Sequence, residues 1–535
     1  MLFPSKKTAR RCASFILSKE PSSTPEQVHV IDLVSDRSRA TSETLTKVSP
    51  SISAVLFPED LFPVAKQYWQ HSGDGVSSRR AEFCHSLFHE GILVDQRTLQ
   101  PTVNGYGKTF KGPRRYQRGS IDQTSPNSHL HETSQDGFEA YDSPHTNGQA
   151  ESRESSQFLE ERFGRNLDIG FVEHAKSAIR QRITGSLIGE IDLATEPNTD
   201  VTSNMRGVAE LSESDVYLYP CGMNSIFMTH QMLMKARSPL KSISFGFPYV
   251  DTLKILEKFG SGCLFYGNGS SDDLDDLERR LKAGERYLAL FCEFPGNPML
   301  KCPDLKRIRR LADTYDFAVI VDETIGNFIN VHVLPYADVV VSSLTKIFSG
   351  ECNVMGGSAI LNPNTPYYHA LKKAADEEYE DNYWAEDVIF MERNSRHFVT
   401  RIEQINDNAE AICDILRSSP LVTAVYYPKY NDSRVFYDDC RTPNGGYGGL
   451  LSFKFSNTAQ AIAFYDRIET AKGPSLGTNF TLTSPYVILA HFLELDWAAQ
   501  FGVPADLIRI SVGLEDAEDL KARFAVALKA AEEAG

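Results

Sequence analysis

A lysine directly after an apolar strand is the residue of this sequence best placed for chemistry. Lys346 closes the run Ser342-Ser343-Leu344-Thr345-Lys346, which overlaps the end of the apolar stretch 337–342. An amine at the buried end of a strand is poorly hydrated, which lowers its pKa and makes it a nucleophile able to form a Schiff base. The hydroxyls of Ser343 and Thr345 beside it can hold a phosphate. Taken alone, such a lysine more often points to solvent.

Two further features lie where apolar runs end. Asp322 closes the run 317–322, and a carboxylate there can keep a pyridine nitrogen protonated, although an isolated one is more often a turn cap. Cys221-Gly222-Met223 opens a helix predicted over 225–235, whose first N–H groups can bind a phosphate. Ligands of α/β sheets bind at the carboxyl ends of strands. The three features together predict a pyridoxal phosphate (PLP) site.

The elements that must position these residues are apolar runs alternating with helices. The runs suit strands that are covered on both faces, and they span residues 287–293, 317–322 and 337–342. A helix is predicted over 305–314, between the first two. This order predicts an α/β domain with a mostly parallel sheet. After about residue 395 the pattern changes to that of a smaller α+β domain.

The carboxyl-terminal two thirds of the chain, roughly 157–535, resembles the Cys/Met-metabolism family of PLP-dependent enzymes of fold type I. The matching landmarks, in order, are Cys221-Gly222-Met223, Tyr249, Glu293-Phe294-Pro295-Gly296-Asn297-Pro298, Asp322, Ser343-Leu344-Thr345-Lys346, Ser475-Leu476-Gly477 and 507–516 (LIRISVGLED). Stretches 321–328, 355–358, 69–71 and 77–79 are similar to the fungal cystathionine γ-synthase group of that family. The resemblance implies a large domain with a mainly parallel seven-stranded sheet, a smaller C-terminal α+β domain and an N-terminal α+β extension.

The resemblance also implies a role for each matching residue. Lys346 would carry the cofactor and move protons, Asp322 would pair with the pyridinium nitrogen, and Tyr249 would stack on the ring as an acid/base. The phosphate would be held by Gly222, Met223, Ser343 and Thr345, with Arg165 reaching it from a neighbouring subunit. Asn297 would lie near the ring hydroxyl. Arg509 would bind the substrate carboxylate in a pocket shaped by Ser475, a task suited to a bidentate guanidinium.

Two positions depart from the family pattern. Where the family usually has Tyr-x-Arg, this chain has Phe163-Gly164-Arg165, which removes one hydroxyl from the intersubunit phosphate contact. After Ser475-Leu476-Gly477, many bacterial γ-synthases continue with Gly-x-Glu-Ser, whereas this chain reads Thr478-Asn479-Phe480-Thr481. The carboxylate that would hold the incoming amino acid is therefore missing at that place.

The activity implied by the resemblance is γ-replacement. It would join O-acetyl- or O-succinyl-L-homoserine to L-cysteine, giving cystathionine for methionine biosynthesis, in a homotetramer. The same residues also serve cystathionine lyases, O-acylhomoserine sulfhydrylases and γ-substituting paralogues of secondary metabolism. An alternative of a different class is a regulatory or binding protein that uses the basic amino-terminal region. The intact set of Lys346, Asp322, Tyr249 and Arg509 argues against it.

Composition limits the remaining possibilities. The 535 residues carry 55 basic and 71 acidic side chains, a net charge of −16, and are 41% apolar, enough for a large core. No apolar run approaches the ~20 residues of a membrane helix. The nine cysteines include no C-x-x-C pair, so we expect neither a disulfide framework nor a metal site. We expect a cytoplasmic location. The five basic residues among the first 19 faintly resemble a mitochondrial presequence, a less favoured interpretation.

The charge is unevenly distributed along the chain. Residues 1–118 carry 17 basic and 11 acidic side chains, and the rest carries 38 and 60. We expect an extension domain at 1–118 with a buried strand at 12–17, a disordered linker at 119–156, a PLP-binding domain with an intersubunit arm at 157–395 and a small domain at 396–535. The basic cluster at 106–118 has interleaved aromatics, yet such a run is more often a domain edge than a nucleic-acid site. We expect the basic extension to dock on the acidic core.

Overall fold

The computed structural model describes residues 1–36, 38–40, 45, 49–99, 171–185, 206 and 208–535. Residues Met1–Val94 and Ile169–Gly535 form one compact unit, and Asp95–Asp168 form a second. In the second unit, Asp95 accepts a hydrogen bond from the Arg97 N–H (2.9 Å) and caps the short turn Gln96–Thr98. The predicted linker, the basic cluster at 106–118, Phe163 and Arg165 lie outside the described residues.

The amino-terminal part of the first unit has a small sheet with helices against it. Its elements are β1 (Leu2–Phe3), α1 (Lys6–Lys19), β2 (His29–Ser35), β3 (Ser51–Leu56), α2 (Phe62–Ser72), α3 (Ser78–His89) and β4 (Leu93–Asp95). Among the described residues the strand order is β1-β3-β2-β4, and β3 runs antiparallel to both β1 and β2. This region is therefore α+β.

The prediction of a buried strand at 12–17 is wrong, because these residues belong to α1. Ser5 caps the helix and forms a reciprocal capping box with Thr8. The buried residues of α1 include Ala9, Cys12 and Ile16, a spacing of three and four that places them on one helical face. An apolar run this short has no period of its own, so the preceding cap decides between helix and strand.

The large domain contains, within the described residues, a seven-stranded sheet of order β5-β11-β10-β9-β8-β6-β7. Its strands are β5 (Val216–Tyr219), β6 (Ser242–Phe245), β7 (Cys263–Tyr266), β8 (Ala289–Glu293), β9 (Ala318–Asp322), β10 (Val339–Ser343) and β11 (Gly357–Leu361). Its helices are α4 (Val172–Thr184), α5 (Gly222–Ala236), α6 (Val250–Lys258), α7 (Ser271–Lys282), α8 (Leu305–Tyr315), α9 (Tyr368–Glu378) and α10 (Ala385–Ser395).

Three of these strands, β8, β9 and β10, are the predicted apolar runs, and they lie side by side in parallel. The first four residues of each are buried, as expected for strands covered on both faces. Strand β11 is antiparallel to its neighbours β10 and β5. Helix α8 starts at the cap Asp304 and buries Leu305, Ile308 and Leu311 against the sheet. The mainly parallel α/β architecture is confirmed.

The carboxyl-terminal part begins with α11 (Phe398–Ser418) and is built on a second sheet. Its further elements are β12 (Val422–Tyr426), α12 (Arg434–Cys440), β13 (Leu450–Phe455), α13 (Thr458–Arg467), β14 (Ala471–Lys472), β15 (Leu482–Ser484), α14 (Tyr486–His491), α15 (Leu495–Gln500), β16 (Ile508–Ser511) and α16 (Ala517–Glu533). The sheet order is β12-β13-β16-β15-β14, with β14 and β15 parallel and the other pairs antiparallel. In the described part of the chain, no helix is both long and apolar enough to cross a membrane.

Candidate active site

The carboxyl ends of β8, β9 and β10 bring three predicted polar residues to one edge of the large sheet. Glu293 and Asp322 end neighbouring strands in register, and β10 ends at Ser343, three residues before Lys346. Parallel strands have their carboxyl ends on the same edge, where α/β proteins bind ligands. The sheet therefore places Asp322 and Lys346 at the same edge, after neighbouring strands.

Asp322 is connected to Ser343 by a threonine that the sequence reading did not assign. The Thr324 hydroxyl donates to Asp322 Oδ1 (2.6 Å) and accepts from the Ser343 N–H (2.8 Å), while the Thr324 N–H also donates to Asp322 (2.9 Å). Burial raises the pKa of Asp322, and the two bonds from Thr324 act in the opposite direction. Thr324 thus orients the carboxylate, and the only sequence signal for it was its position two residues after the aspartate.

The first turn of α5 lies against the end of β10. A Cβ atom added to Gly222 would come within 2.6 Å of Ser343 Cβ, so only glycine permits this approach. Cys221 caps the helix with extended backbone, its thiol donates to the Gly73 carbonyl (3.6 Å) and not to the helix, and Met223 follows in the first turn. The Thr345 hydroxyl bonds the backbone of Gly356, accepting from its N–H at 3.1 Å. Gly222, Met223 and Ser343 form a cradle suited to an anion.

The Lys346 side chain points toward the small carboxyl-terminal domain. Its amine donates to Ser475 Oγ (3.2 Å), and a Cβ atom on Gly477 would lie 2.9 Å from Lys346 Cβ. Burial, and then the charge of Arg509, lower the pKa of this amine. A larger fraction of Lys346 is therefore in the neutral, nucleophilic form than for a lysine in water, in the direction that the chemistry proposed from the sequence requires.

Arg509, in the middle of β16, is 2% exposed and is held on several sides. Its Nη1 donates to Asn297 Oδ1 (2.9 Å) and its Nη2 to the Ser475 carbonyl (2.8 Å), while its guanidinium lies 3.9 Å from the centre of the Tyr486 ring. Burial lowers the pKa of Arg509 to about 10. The structure thus joins Lys346, Ser475, Arg509 and Asn297 in one chain of contacts.

Tyr486 is a second residue that the sequence reading missed. Its hydroxyl accepts a hydrogen bond from Asn297 Nδ2 (2.7 Å), and its ring supports the Arg509 guanidinium. It lies 189 residues from Asn297 along the chain, in α14. No local pattern marks it, since an isolated tyrosine in a mixed segment has no period or spacing that points to a site.

Tyr249 caps α6 and remains 45% exposed at the opening of this edge. Its N–H donates to Glu293, which also accepts from the Asn297 N–H (3.1 Å). Burial and the neighbouring Asp322 charge raise the pKa of Glu293 well above its usual range. Burial and Asp251 raise the pKa of the Tyr249 phenol, so that it is protonated near neutral pH.

The described residues fit PLP. Lys346 supplies an amine of lowered pKa for the aldehyde, and Asp322, at the end of the neighbouring strand β9, supplies a carboxylate for the pyridine nitrogen. The glycine cradle at the start of α5 suits the phosphate. Arg509 adds a cation for a substrate carboxylate. Arg165, predicted to reach a phosphate in a neighbouring subunit, lies outside the described residues.

The departing stretch Thr478–Thr481 lies between two carboxylates supplied by other segments. Asn479 Nδ2 donates to Glu351 (2.6 Å), and Thr481 donates to Glu515 from its N–H (2.6 Å) and its hydroxyl (2.8 Å). No residue of this stretch replaces the glutamate of the bacterial Gly-x-Glu-Ser pattern. A carboxylate is nevertheless present beside the stretch, because Glu351 contacts Asn479.

Comparisons with known proteins show the family of this chain. A family model described as Cys/Met metabolism PLP-dependent enzyme matches residues 196–529, and one described as Fungal trans-sulfuration enzyme, N-terminal domain, matches residues 1–77. The chain is 58% identical to a cystathionine gamma-synthase of Neurospora crassa, over 100% of this chain and 86% of the relative. It is 42% identical to the cystathionine gamma-synthase-like enzyme iboG2 of Amanita muscaria, over 100% of this chain and 86% of the relative.

The fold also matches a solved structure. The crystal structure of cystathionine gamma synthase from Xanthomonas oryzae pv. oryzae, in complex with aminoacrylate and cysteine, superposes with a TM-score of 0.54. It is 22% identical and covers 68% of this chain and 99% of that one, which shows a shared fold. With the site, the fold and the two family matches in agreement, the chain belongs to the Cys/Met-metabolism family of PLP-dependent enzymes and carries a fungal trans-sulfuration domain at its amino terminus.

Proposed function

We propose that this protein is a cystathionine γ-synthase, which joins an O-acyl-L-homoserine to L-cysteine. The observation that carries the proposal is the contact chain in which the Lys346 amine meets Ser475, and Ser475 in turn meets the buried Arg509. The full-length likeness to the Neurospora cystathionine gamma-synthase supports it. The products would be cystathionine and the free carboxylic acid released from the ester.

Arg509 would bind the α-carboxylate of the homoserine ester. Its guanidinium is already oriented by Asn297 and by the carbonyl of Ser475, so little side-chain freedom is lost on binding. Two N–H groups of one arginine can meet both oxygens of a carboxylate. This contact would place Cα of the substrate near the Lys346 amine.

Lys346 would accept the proton from Cα and then move protons at Cβ. Its lowered pKa leaves more of the amine neutral, which is the form that accepts a proton. PLP, when bound, supplies the electron sink that makes these carbon acids reactive near neutral pH. The bond between Cγ and the ester oxygen would break, so that the acyl carboxylate leaves, and the cysteine thiolate would form the new C–S bond at Cγ.

A second candidate is γ-substitution with a nucleophile other than cysteine. The 42% identity to a cystathionine gamma-synthase-like enzyme of Amanita and the altered stretch Thr478–Thr481 favour it, since that stretch would meet the incoming nucleophile. Cystathionine lyase and O-acylhomoserine sulfhydrylase activities use the same set of residues.

A substrate panel separates these reactions. The purified PLP-loaded protein is incubated with O-acetyl- or O-succinyl-homoserine and cysteine, then with either ester and sulfide, then with cystathionine alone. Cystathionine formed from an ester and cysteine faster than homocysteine from sulfide supports the proposal, and the preferred ester identifies the acyl group. Cleavage of cystathionine without its synthesis would contradict it.

We further propose that the protein acts as a homotetramer in the cytoplasm. The family resemblance supports the tetramer, with Arg165 completing a neighbouring phosphate site. All nine cysteines are free thiols, which agrees with a reducing compartment. Light scattering during size-exclusion chromatography tests the first point, and fluorescence microscopy of the tagged protein tests the second.

A further inference from the structure

The end of α2 in the amino-terminal domain reaches the cofactor edge of the large domain. Gly73 ends this helix with a φ of 66°, and a Cβ atom there would lie 2.7 Å from both Asn224 N and Cys221 Sγ. Asn224 and Cys221 belong to the first turn of α5 and to its cap. The backbone of the amino-terminal domain therefore touches the turn whose N–H groups face the phosphate cradle.

Asn224 fastens this turn to the amino-terminal domain. Its side-chain amide donates to the Ser72 carbonyl (3.1 Å) and to Asp74 Oδ1 (2.8 Å). Asp74 is 3% exposed, accepts from the Tyr68 hydroxyl (2.5 Å) and pairs with the Arg11 guanidinium (3.2 Å). A carboxylate bound on three sides is a rigid acceptor, so it fixes the position of Asn224 and of the turn that carries it.

The same segment also contacts α6, the helix that Tyr249 caps. His71 Nδ1 lies 2.7 Å from Asp251 Oδ1, and its Nε2 lies 3.0 Å from the Lys258 amine. Because an ammonium group donates to Nε2, the proton is on Nδ1, which donates to Asp251. Asp251 follows Tyr249 by two residues, in the first turn of α6, and its negative charge acts on the Tyr249 phenol, whose pKa burial and this charge raise.

We propose that residues His71–Asp74 are a positioning segment, through which the amino-terminal domain strengthens cofactor binding. Asp74 and Ser72 hold the start of α5, which is expected to bind the phosphate. His71 holds Asp251 and thereby positions the start of α6, where Tyr249 is expected to cover the ring. None of these residues needs to touch the cofactor. The inference rests on the cofactor placement in the proposed function, and it adds a task for the fungal amino-terminal domain.

The test is the affinity of the apoenzyme for PLP in variants of this segment. Titrations followed by the absorbance of bound cofactor give the Kd for the full-length wild type, His71→Ala and Asp74→Ala. We expect each variant to raise the Kd by about tenfold, the effect of losing one hydrogen bond to a charged group. His71→Asn, whose amide can still donate to Asp251, should recover most of the affinity.

A matched control removes a contact that the same domain makes elsewhere. Lys7→Gln breaks an ion pair with Glu378. It should keep the wild-type Kd within about twofold, as expected for a partly exposed ion pair. If Asp74→Ala does not fold, Tyr68→Phe removes the hydroxyl bond to Asp74 at nearly constant volume.

Two results decide the matter. The inference is overturned if the variants fold and still bind PLP with the wild-type Kd and release it at the wild-type rate. This must hold for His71→Ala and for either Asp74→Ala or Tyr68→Phe. A wild-type apoenzyme that binds no PLP would instead overturn the proposed function, and the variants would then show no difference to explain.

Discussion

At the scale of single residues, the site is a set of charged groups whose orientation is fixed before any substrate is bound. Arg509 is held by Asn297 and the Ser475 carbonyl and rests on the Tyr486 ring. Lys346 has Ser475 as its hydrogen-bond acceptor. Such preorganisation lowers the entropy lost on binding and keeps reacting groups within reach of one another.

Arg509→Lys is expected to weaken substrate binding more than turnover. A lysine cannot offer two parallel N–H groups to a carboxylate, so we expect KM for the homoserine ester to rise about 10- to 100-fold. Steady-state kinetics measure this effect. Arg523→Lys, at a half-buried surface position of α16, is the matched control. An unchanged KM in Arg509→Lys would contradict the carboxylate assignment.

Lys346→Ala is expected to lower kcat by about 10²- to 10⁴-fold, the usual contribution of a general base. Borohydride treatment of the wild type, followed by peptide mass spectrometry, should find the cofactor fixed to Lys346. In Lys301→Ala, which changes an exposed lysine, the same labelled peptide should appear. A label on another lysine of the wild type would refute the assignment.

At the scale of elements, α5 has two separate tasks. Its first turn forms the anion cradle, and the rest of the helix is almost entirely buried against the sheet. Among its buried residues is His230, whose Nε2 lies 3.3 Å from Ser242 Oγ. Burial lowers the pKa of His230 to about 4. Burial of this histidine therefore makes the helix sensitive to acid.

His230→Gln should reduce the acid sensitivity of the fold. Between pH 4 and 6.5 the unfolded histidine binds a proton and the folded one does not, so the free energy of unfolding falls as the pH falls through this window. Across the window the loss is about 3 kcal/mol. The measurement is the Tm of the apoenzyme at pH 4.5 and pH 7. An equal fall in Tm for wild type and His230→Gln would show that His230 does not titrate in this way.

At the scale of the whole molecule, the amino-terminal domain and the large domain share one core. The Phe15 ring is tilted against Phe259 with ring centres 4.9 Å apart, and Tyr68 meets Phe259 edge to face at 5.8 Å and Phe227 edge to face at 6.1 Å. Apolar residues of both parts belong to a single buried cluster. Ion pairs such as Lys7 with Glu378 add to this contact at the rim.

A chain that begins at Ile169 is therefore expected to aggregate. Removal of the amino-terminal domain exposes the apolar side of α5 and the Phe259 region, and exposed apolar patches of several hundred Å² promote association. Soluble yield and light scattering, compared with those of the full chain, measure the outcome. A monodisperse shortened protein that binds PLP normally would show that this shared core is dispensable.

The sequence by itself determined the alternation of strands and helices and the residues at the strand ends. Both are local properties, since the apolar runs 287–293, 317–322 and 337–342 and the motif around Lys346 need no knowledge of distant residues. It also supplied the family resemblance, which the comparisons confirmed. At 12–17 the prediction from the local pattern was wrong, because so short and mostly apolar a run suits a strand and a helix equally.

Only the tertiary structure decided which distant residues complete the site. Tyr486 supports Asn297 across 189 residues, Asn297 meets Arg509 across 212, and His71 meets Asp251 across 180. These pairs depend on how the helices and both sheets pack, and packing is set by the summed burial of side chains from the whole chain. For that reason the sequence could name the catalytic groups, while the residues that hold them in place became visible only in the folded protein.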